Sequence, residues 1–277
     1  MALTINTNIS AIDAYNNLNA TSNAMAQTVS QLSSGLQIQT AADNASGYVI
    51  AQGLNVQANG LGVAITNGQD ATSVLQIASG AMNQQVAILQ RMNQLATTAA
   101  NGGAQSSTSQ NADQQEFAAL QSQLDQIANS TQFGSTQLLN GTYSGQVFQV
   151  GAYNSTNDQL TVTIQGMSSA SLGVSSASAS ITSTTFAQAA MSLVQSAIST
   201  VASAEANIGA AQNQIQAIIN NDTVGQQNVQ SAYSTLVDTN VAQAMTSFSS
   251  QQVLMQAGVA MLSQAQSLPQ MLLKLIP

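Results

Sequence analysis

The stretch from Val241 to Ile276 carries more apolar helix surface than one chain can hide. Two seams run through it at alternating steps of four and three. One is Val241, Met245, Phe248, Gln252, Met255, Val259 and Leu262; the other is Leu254, Gly258, Met261, Ala265, Leu268, Leu272 and Leu275. Neighbouring residues on a helix sit about 100° apart, so the two seams span far more than one narrow stripe. A single partner helix covers too little of that arc. A further copy of the same chain is the simplest cover for the rest.

The amino-terminal segment has a matching period. Residues 4 to 36 read as a helix with a seam through Tyr15, Leu18, Ser22, Met25, Val29, Leu32 and Leu36, and Ile5, Ile9 and Ile12 begin a second face. This heptad spacing predicts that the two chain ends pair as a coiled coil. After a polar linker, Asp43 is placed to cap a long helix from about Asn44 to Ala99. Its glycines, Gly53, Gly60, Gly62, Gly68 and Gly80, each cost up to about 1 kcal/mol relative to alanine, so it must rely on packing. Asn101–Asn111 has turn composition, and a shorter helix follows with Phe117, Leu120, Leu124 and Ile127 on one face. Gln146–Val150 and Gln159–Ile164 alternate apolar and polar residues across a Gly/Asn/Asp-rich stretch, which predicts a β-hairpin. Met167–Thr185, rich in Ser, Ala and Thr, is expected to be an exposed tip. Helix resumes near Thr185, with a turn expected at Asn220–Gly225. The expected fold is mainly α: a long antiparallel helical bundle or coiled coil with a small β-hairpin region and paired terminal helices. The expected division is 1–42 and 233–277 for the terminal helices, and 43–177 and 178–232 for the part between them.

Composition narrows the chemistry. The 277 residues include no Cys and no His, which removes disulfides, thiolate and imidazole catalysis and the usual zinc ligands. There is no phosphate-binding loop, and Gly60-Leu61-Gly62 lies inside helical periodicity. The ten carboxylates are dispersed. No enzyme, cofactor or metal site is expected. Charged residues are 4% of the chain, against about 25% in ordinary domains. Arg91 and Lys274 are the two basic side chains, and a net charge of -8 argues against nucleic acid and anionic lipid as partners. The apolar run near Val253 is broken by Gln256, short of the roughly 18 residues a membrane span needs. Met1–Ser10 lacks the basic and apolar regions of a secretory signal peptide.

Several segments together resemble bacterial flagellin. At the amino end they are Ile5-Asn6-Thr7-Asn8, Leu32-Ser33-Ser34-Gly35-Leu36-Gln37-Ile38 and Ala42-Asp43-Asn44-Ala45-Ser46-Gly47. Further on come Leu89-Gln90-Arg91, Thr131-Gln132-Phe133 and Phe148-Gln149-Val150-Gly151. At the carboxy end the matching run is Gln264-Ala265-Gln266-Ser267-Leu268-Pro269-Gln270. The resemblance implies an extracellular, self-assembling filament subunit of the bacterial flagellum, serving motility and exported by the type III apparatus. Its partners would be other subunits, the flagellar cap, junction proteins and an export chaperone. It also implies an inner tube of paired termini (D0) and a surrounding layer (D1), with no outer domains. The residues carrying self-assembly would be Ile5, Ile9, Ile12, Leu18, Met25, Val29, Leu32, Met245, Phe248, Leu254, Met255, Met261, Leu262, Leu268, Leu272 and Leu275. The family's innate immune receptor epitope maps to Arg91, Leu95 and Glu116. Asn93 and Gln94 stand where charged neighbours are usual, which weakens that expectation.

Three other readings were open to such a chain. A hook–filament junction protein shares the helical ends, but Leu32–Gly47 and the Leu268–Leu273 ending favour flagellin. A flagellin carrying an inserted peptidase is opposed by the absent His and the short middle. An adhesin would use Ser168–Thr185 as a glycan-bearing surface. The scarcity of charge also suits an acidic exterior, since protonating every carboxylate would leave two side-chain cations unopposed.

Overall fold

A computed structural model describes residues 7–273, with side chains described through Ser267. Among these residues the order is α1 (Ile9–Ser34), α2 (Ala45–Ala99), α3 (Ser107–Ser130), β1 (Gln132–Phe133), β2 (Thr136–Gln137), β3 (Gln146–Gln149), β4 (Gln159–Val162), α4 (Thr184–Val237) and α5 (Val241–Leu273). The chain is mainly α, as expected. It divides into two compact units: the described residues of Met1–Val56 with those of Asn228–Pro277, and Gln57–Gln227.

Each helix starts on an uncharged cap. The Asn8, Asn44 and Asn240 side-chain oxygens accept from the amides of Ala11, Gly47 and Gln243, and those of Ser106 and Ser183 accept from Ser109 and Phe186. Such caps satisfy amides that the helix leaves free, and each stabilises by about 1 kcal/mol. The cap of α2 is therefore Asn44, not Asp43. The Asp43 carboxylate instead accepts from the Gln39 and Thr40 amides and closes the preceding turn. Gly35 ends α1 in the left-handed conformation (φ 74°), with its amide bonded to the Gln31 carbonyl.

The middle unit holds the main core. Along α2, Ala71, Leu75, Ala78, Met82, Leu89, Met92, Ala96 and Ala99 are buried at helical spacing. They pack with Phe117 and Leu124 of α3 and with Val194, Val201, Ile208 and Ile215 of α4. The helix α2 is unbroken at Gly60–Gly62. Its glycines differ in use. A Cβ on Gly68 would lie 2.9 Å from Ile219 Cγ1, whereas nothing lies within 4 Å of one on Gly80. Gly80→Ala is therefore expected to stabilise the subunit by up to about 1 kcal/mol through helix propensity. Gly68→Ala should cost about 1–3 kcal/mol by overpacking, partly offset by the same gain. Melting temperatures moving in opposite directions for the two variants are the check.

The helix α4 also runs straight through Asn220–Gly225, where composition predicted a turn. Burial continues there in steps of three and four through Ile215, Ile219, Asp222 and Gln226, so packing overrides the poor helix formers. The expected hairpin is present: β3 and β4 are antiparallel, with Val147 opposite Thr161 and Phe148 opposite Leu160. A second, two-residue ladder, β1 with β2, turns through Gly134 (φ 60°) and was not expected.

Met167–Thr185 is not an exposed tip. Met167, Leu172, Val174, Ala179 and Ile181 are buried, and side chains from α2 and α3 hold the backbone of this segment. Gln85 Nε2 donates to the Met167 carbonyl at 3.0 Å, and Gln121 Nε2 donates to those of Val174 at 2.7 Å and Ala179 at 3.1 Å. The Ser169 amide and hydroxyl donate to Asp125, and the Ile181 amide donates to Gln114 Oε1. Irregular backbone can be buried only when its polar groups find partners. Here helix side chains supply them in place of a sheet.

Candidate functional site

The terminal unit is built around α1 and α5, which pack antiparallel. Asn8 Nδ2 donates to the Ala265 carbonyl at 2.7 Å near one end, and Leu18 packs against Gly258 further along. A Cβ on Gly258 would lie 3.2 Å from Leu18 Cδ1, so glycine lets the helices approach closely there. At the other end the two connecting segments bridge. The Gln37 amide donates to the Val237 carbonyl and the Thr239 amide to that of Gly35.

The seam that the two helices share runs through Ala11, Ala14, Leu18, Thr21, Met25, Thr28 and Leu32 on α1. On α5 it runs through Ala244, Phe248, Gln251, Met255, Gly258, Leu262 and Ala265. Both follow the three–four alternation of a coiled coil. From Met255 on, the α5 seam draws alternately on the two seams read from the sequence and leaves the outer member of each uncovered; Ala244 and Gln251 belong to neither. It is rich in small and uncharged polar residues, so much of the bulky apolar surface is left over.

That surplus is the surface of interest. Ile9 is 64% exposed, Leu254 56% and Met261 65%. Ile12, Tyr15, Val29, Val241, Met245, Val253 and Val259 are exposed as well. At 100° per residue, Val241, Met245 and Val259 fall on one flank of the α5 seam and Leu254 and Met261 on the other. Leu18, Leu254, Gly258 and Met261 line a groove between the two helices, with Asp13 and Asn17 among its polar lining residues. Of the residues expected to carry assembly, Leu18, Met25, Leu32, Phe248, Met255 and Leu262 are half-buried in the seam. Ile9, Ile12, Val29, Met245, Leu254 and Met261 face outward. Ile5 and Leu275, and the side chains of Leu268 and Leu272, lie outside what is described. The sequence reading missed Val253, exposed on the far side of α5, and the Asn8 tie to Ala265. Only the position of Asn8 just before an apolar period signals it, as a cap.

In the middle unit, Arg91 Nε and Nη2 donate to the two oxygens of Glu116 at 2.7 and 3.1 Å, a two-pronged ion pair at the surface. The guanidinium holds the Glu116 carboxyl below its ordinary range. The pair therefore stabilises the fold above the ordinary glutamate range, and that contribution is lost as pH falls through the lowered value. Exposure and salt keep it small. Leu95, by contrast, is 4% exposed and belongs to the core. Asn93 is half-buried and Gln94 exposed.

Among the described residues no group of three or more carboxylates is placed to hold a metal ion, and no helix is long and apolar enough to cross a membrane.

Comparison with known proteins matches both ends of the chain. The bacterial flagellin N-terminal helical region matches residues 5–144, and the bacterial flagellin C-terminal helical region matches residues 191–276. Flagellin D of Vibrio anguillarum is 46% identical over 154 residues, which is 56% of this chain and 41% of that protein. Flagellin D of Vibrio cholerae is 43% identical over 169 residues, covering 61% and 44%. The chain thus spans about two fifths of the length of these relatives. The crystal structure of Bacillus cereus flagellin aligns with a TM-score of 0.49 at 25% identity, covering 57% of this chain and 88% of that one.

Proposed function

The chain belongs to the bacterial flagellin family, and from that premise we propose that it polymerises into the extracellular flagellar filament through the outward faces of α1 and α5. The family's members are structural proteins, which agrees with a chain that has no His and no Cys. The observation that carries the proposal is the uncovered apolar surface of the paired terminal helices. Each large apolar side chain moved from water into a subunit interface contributes about 1.5–3 kcal/mol before the costs of association. With Ile9, Ile12, Leu254 and Met261 repeated on every subunit, stacking has a strong and non-directional driving force. The seam between α1 and α5 then fixes which faces are offered.

On this reading residues 1–42 and 233–277 form the inner tube, and 43–177 with 178–232 form the layer around it. The small-residue seam is used within a subunit and the bulky flanks between subunits. Torque is carried as a propeller by the resulting polymer. Export, the cap, the junction proteins and the chaperone are inherited expectations of the same assignment. Recognition by the innate immune receptor is weak on this reading: Leu95 is buried, Arg91 is already occupied by Glu116, and Asn93 and Gln94 carry no charge. Electron microscopy of the purified, concentrated full chain is the test. Uniform helical filaments are expected, and a protein that stays monomeric under every polymerising condition would refute the proposal.

A further inference from the structure

Asp222 is the one carboxylate on α4 between Glu205 and the end of the helix, and it points inward. It is 9% exposed, and its Oδ2 is buried with no hydrogen-bond partner. An ionised carboxylate in such a place is costly unless a cation or several donors meet it.

The charge that acts on it is another acid's, that of Asp158. The loop between β3 and β4 is closed on Asp158, whose carbonyl accepts from the Val150 amide at 2.8 Å and whose Oδ2 accepts from the Tyr153 amide at 3.2 Å. The Asp158 carboxyl is packed over Gly151 so closely that a Cβ there would collide with it, so it has little room to swing away. The loop and α4 both contact the same stretch of α2, on different faces of it. Gly60 lies under Ala152 of the loop, Gly62 under Gln226 of α4, and Gln226 Nε2 donates to the Ala58 carbonyl at 3.2 Å. On α2 this contact region, residues 58–68, presents no titratable group; the next one along, Asp70, is exposed. The loop adds Tyr153, which is exposed. The described cation, Arg91, is paired with Glu116.

We propose that Asp222 is a proton-binding group built into the middle unit, whose protonation stabilises the packing of α4 there. Burial first, and the Asp158 charge second, push the Asp222 carboxyl above its ordinary range. For an acid raised in this way, the folded state binds the proton more tightly than the unfolded chain. The penalty is complete above the folded pKa, shrinks as pH falls through it, and is gone below the unfolded value near 3.9. This carboxyl thus stabilises the unit on acidification, opposite in sign to Asp43 and Glu116, which are both held low.

The test compares the full chain, kept dilute and monomeric, with Asp222→Asn from pH 8 to pH 3. The variant should melt about 2–4 °C higher than wild type at pH 7.5, and the gap should close as pH falls. The carboxyl 13C resonance of Asp222 in the wild-type chain should titrate above 3.8, and in Asp158→Asn it should move back toward that value. A gap that is the same at every pH, a variant less stable at pH 7.5, or an Asp222 resonance titrating at or below the ordinary position would overturn the proposal. The resonance decides the matter even where the variant does not fold.

Discussion

Leu254→Asp together with Met261→Asp is expected to stop filament formation while leaving the subunit helical and folded. Both side chains point outward from α5, more than half exposed, on the flank of the groove lined by Leu18 and Gly258. Aspartate there disturbs little in the monomer, because neither residue belongs to the α1–α5 seam. In a polymer each carboxylate would be carried into an apolar contact at a penalty of several kcal/mol after relaxation. Even about 3 kcal/mol per subunit raises the concentration needed for assembly about a hundredfold. Sedimentation across a concentration series, with circular dichroism on the same samples, measures both halves of the claim. Acid should partly restore assembly, since it neutralises the new carboxylates in a chain that carries few other charges. Filaments forming at the wild-type threshold would place the contact surface elsewhere.

Gln121→Ala is expected to destabilise the middle unit by about 2–4 kcal/mol. Gln121 is 4% exposed, and its amide bridges the Val174 and Ala179 carbonyls, both in buried residues. Alanine leaves two acceptors without donors, at about 1–3 kcal/mol each when no water replaces them, and opens a void beside Phe117. Gln121→Glu is the sharper variant. At neutral pH it puts an acceptor against two acceptors and should be at least as damaging. On acidification the protonated side chain can donate again, so part of the loss should return. Thermal unfolding at pH 7 and pH 4 checks both. An unchanged melting temperature in Gln121→Ala would mean that the 167–181 segment does not depend on this bridge.

A common thread links these effects to the chain's scarcity of charge. None of the helices α1 to α5 has an acidic residue in its first turn or a basic one in its last, and their caps are Asn and Ser throughout. The glutamines of α2 and α3 do the bridging that carboxylates and cations do in more charged proteins. Neutral caps and amides keep their hydrogen bonds at any pH between strong acid and strong base. The helix ends and most of the buried polar contacts are therefore insensitive to pH. Asp125, which holds the Ser169 amide, is an exception among those contacts.

Much of this protein was legible in its residues alone. Period and length were enough for the paired ends, the α2 core face, the Phe117–Ile127 face and the hairpin, because helices and strands write their burial into regular spacing. The excess of apolar surface on α5 was also visible, since a helix has one circumference and the seams outnumber the partners. What the spacing did not reveal is which residues α1 and α5 share. Two apolar seams and the line between them are equally periodic, and only the facing helix, with Gly258 against Leu18, selects the line between. The segment from Met167 to Ile181 was hidden for a different reason. Its burial has no period, and the groups that make it tolerable, Gln85, Gln114, Gln121 and Asp125, lie 44 to 82 residues away. Asp222 belongs to the same class, for the charge that acts on it, Asp158, comes from another element altogether. Local order follows from the pattern along the chain, whereas the partner of a buried polar group is decided only when distant elements meet.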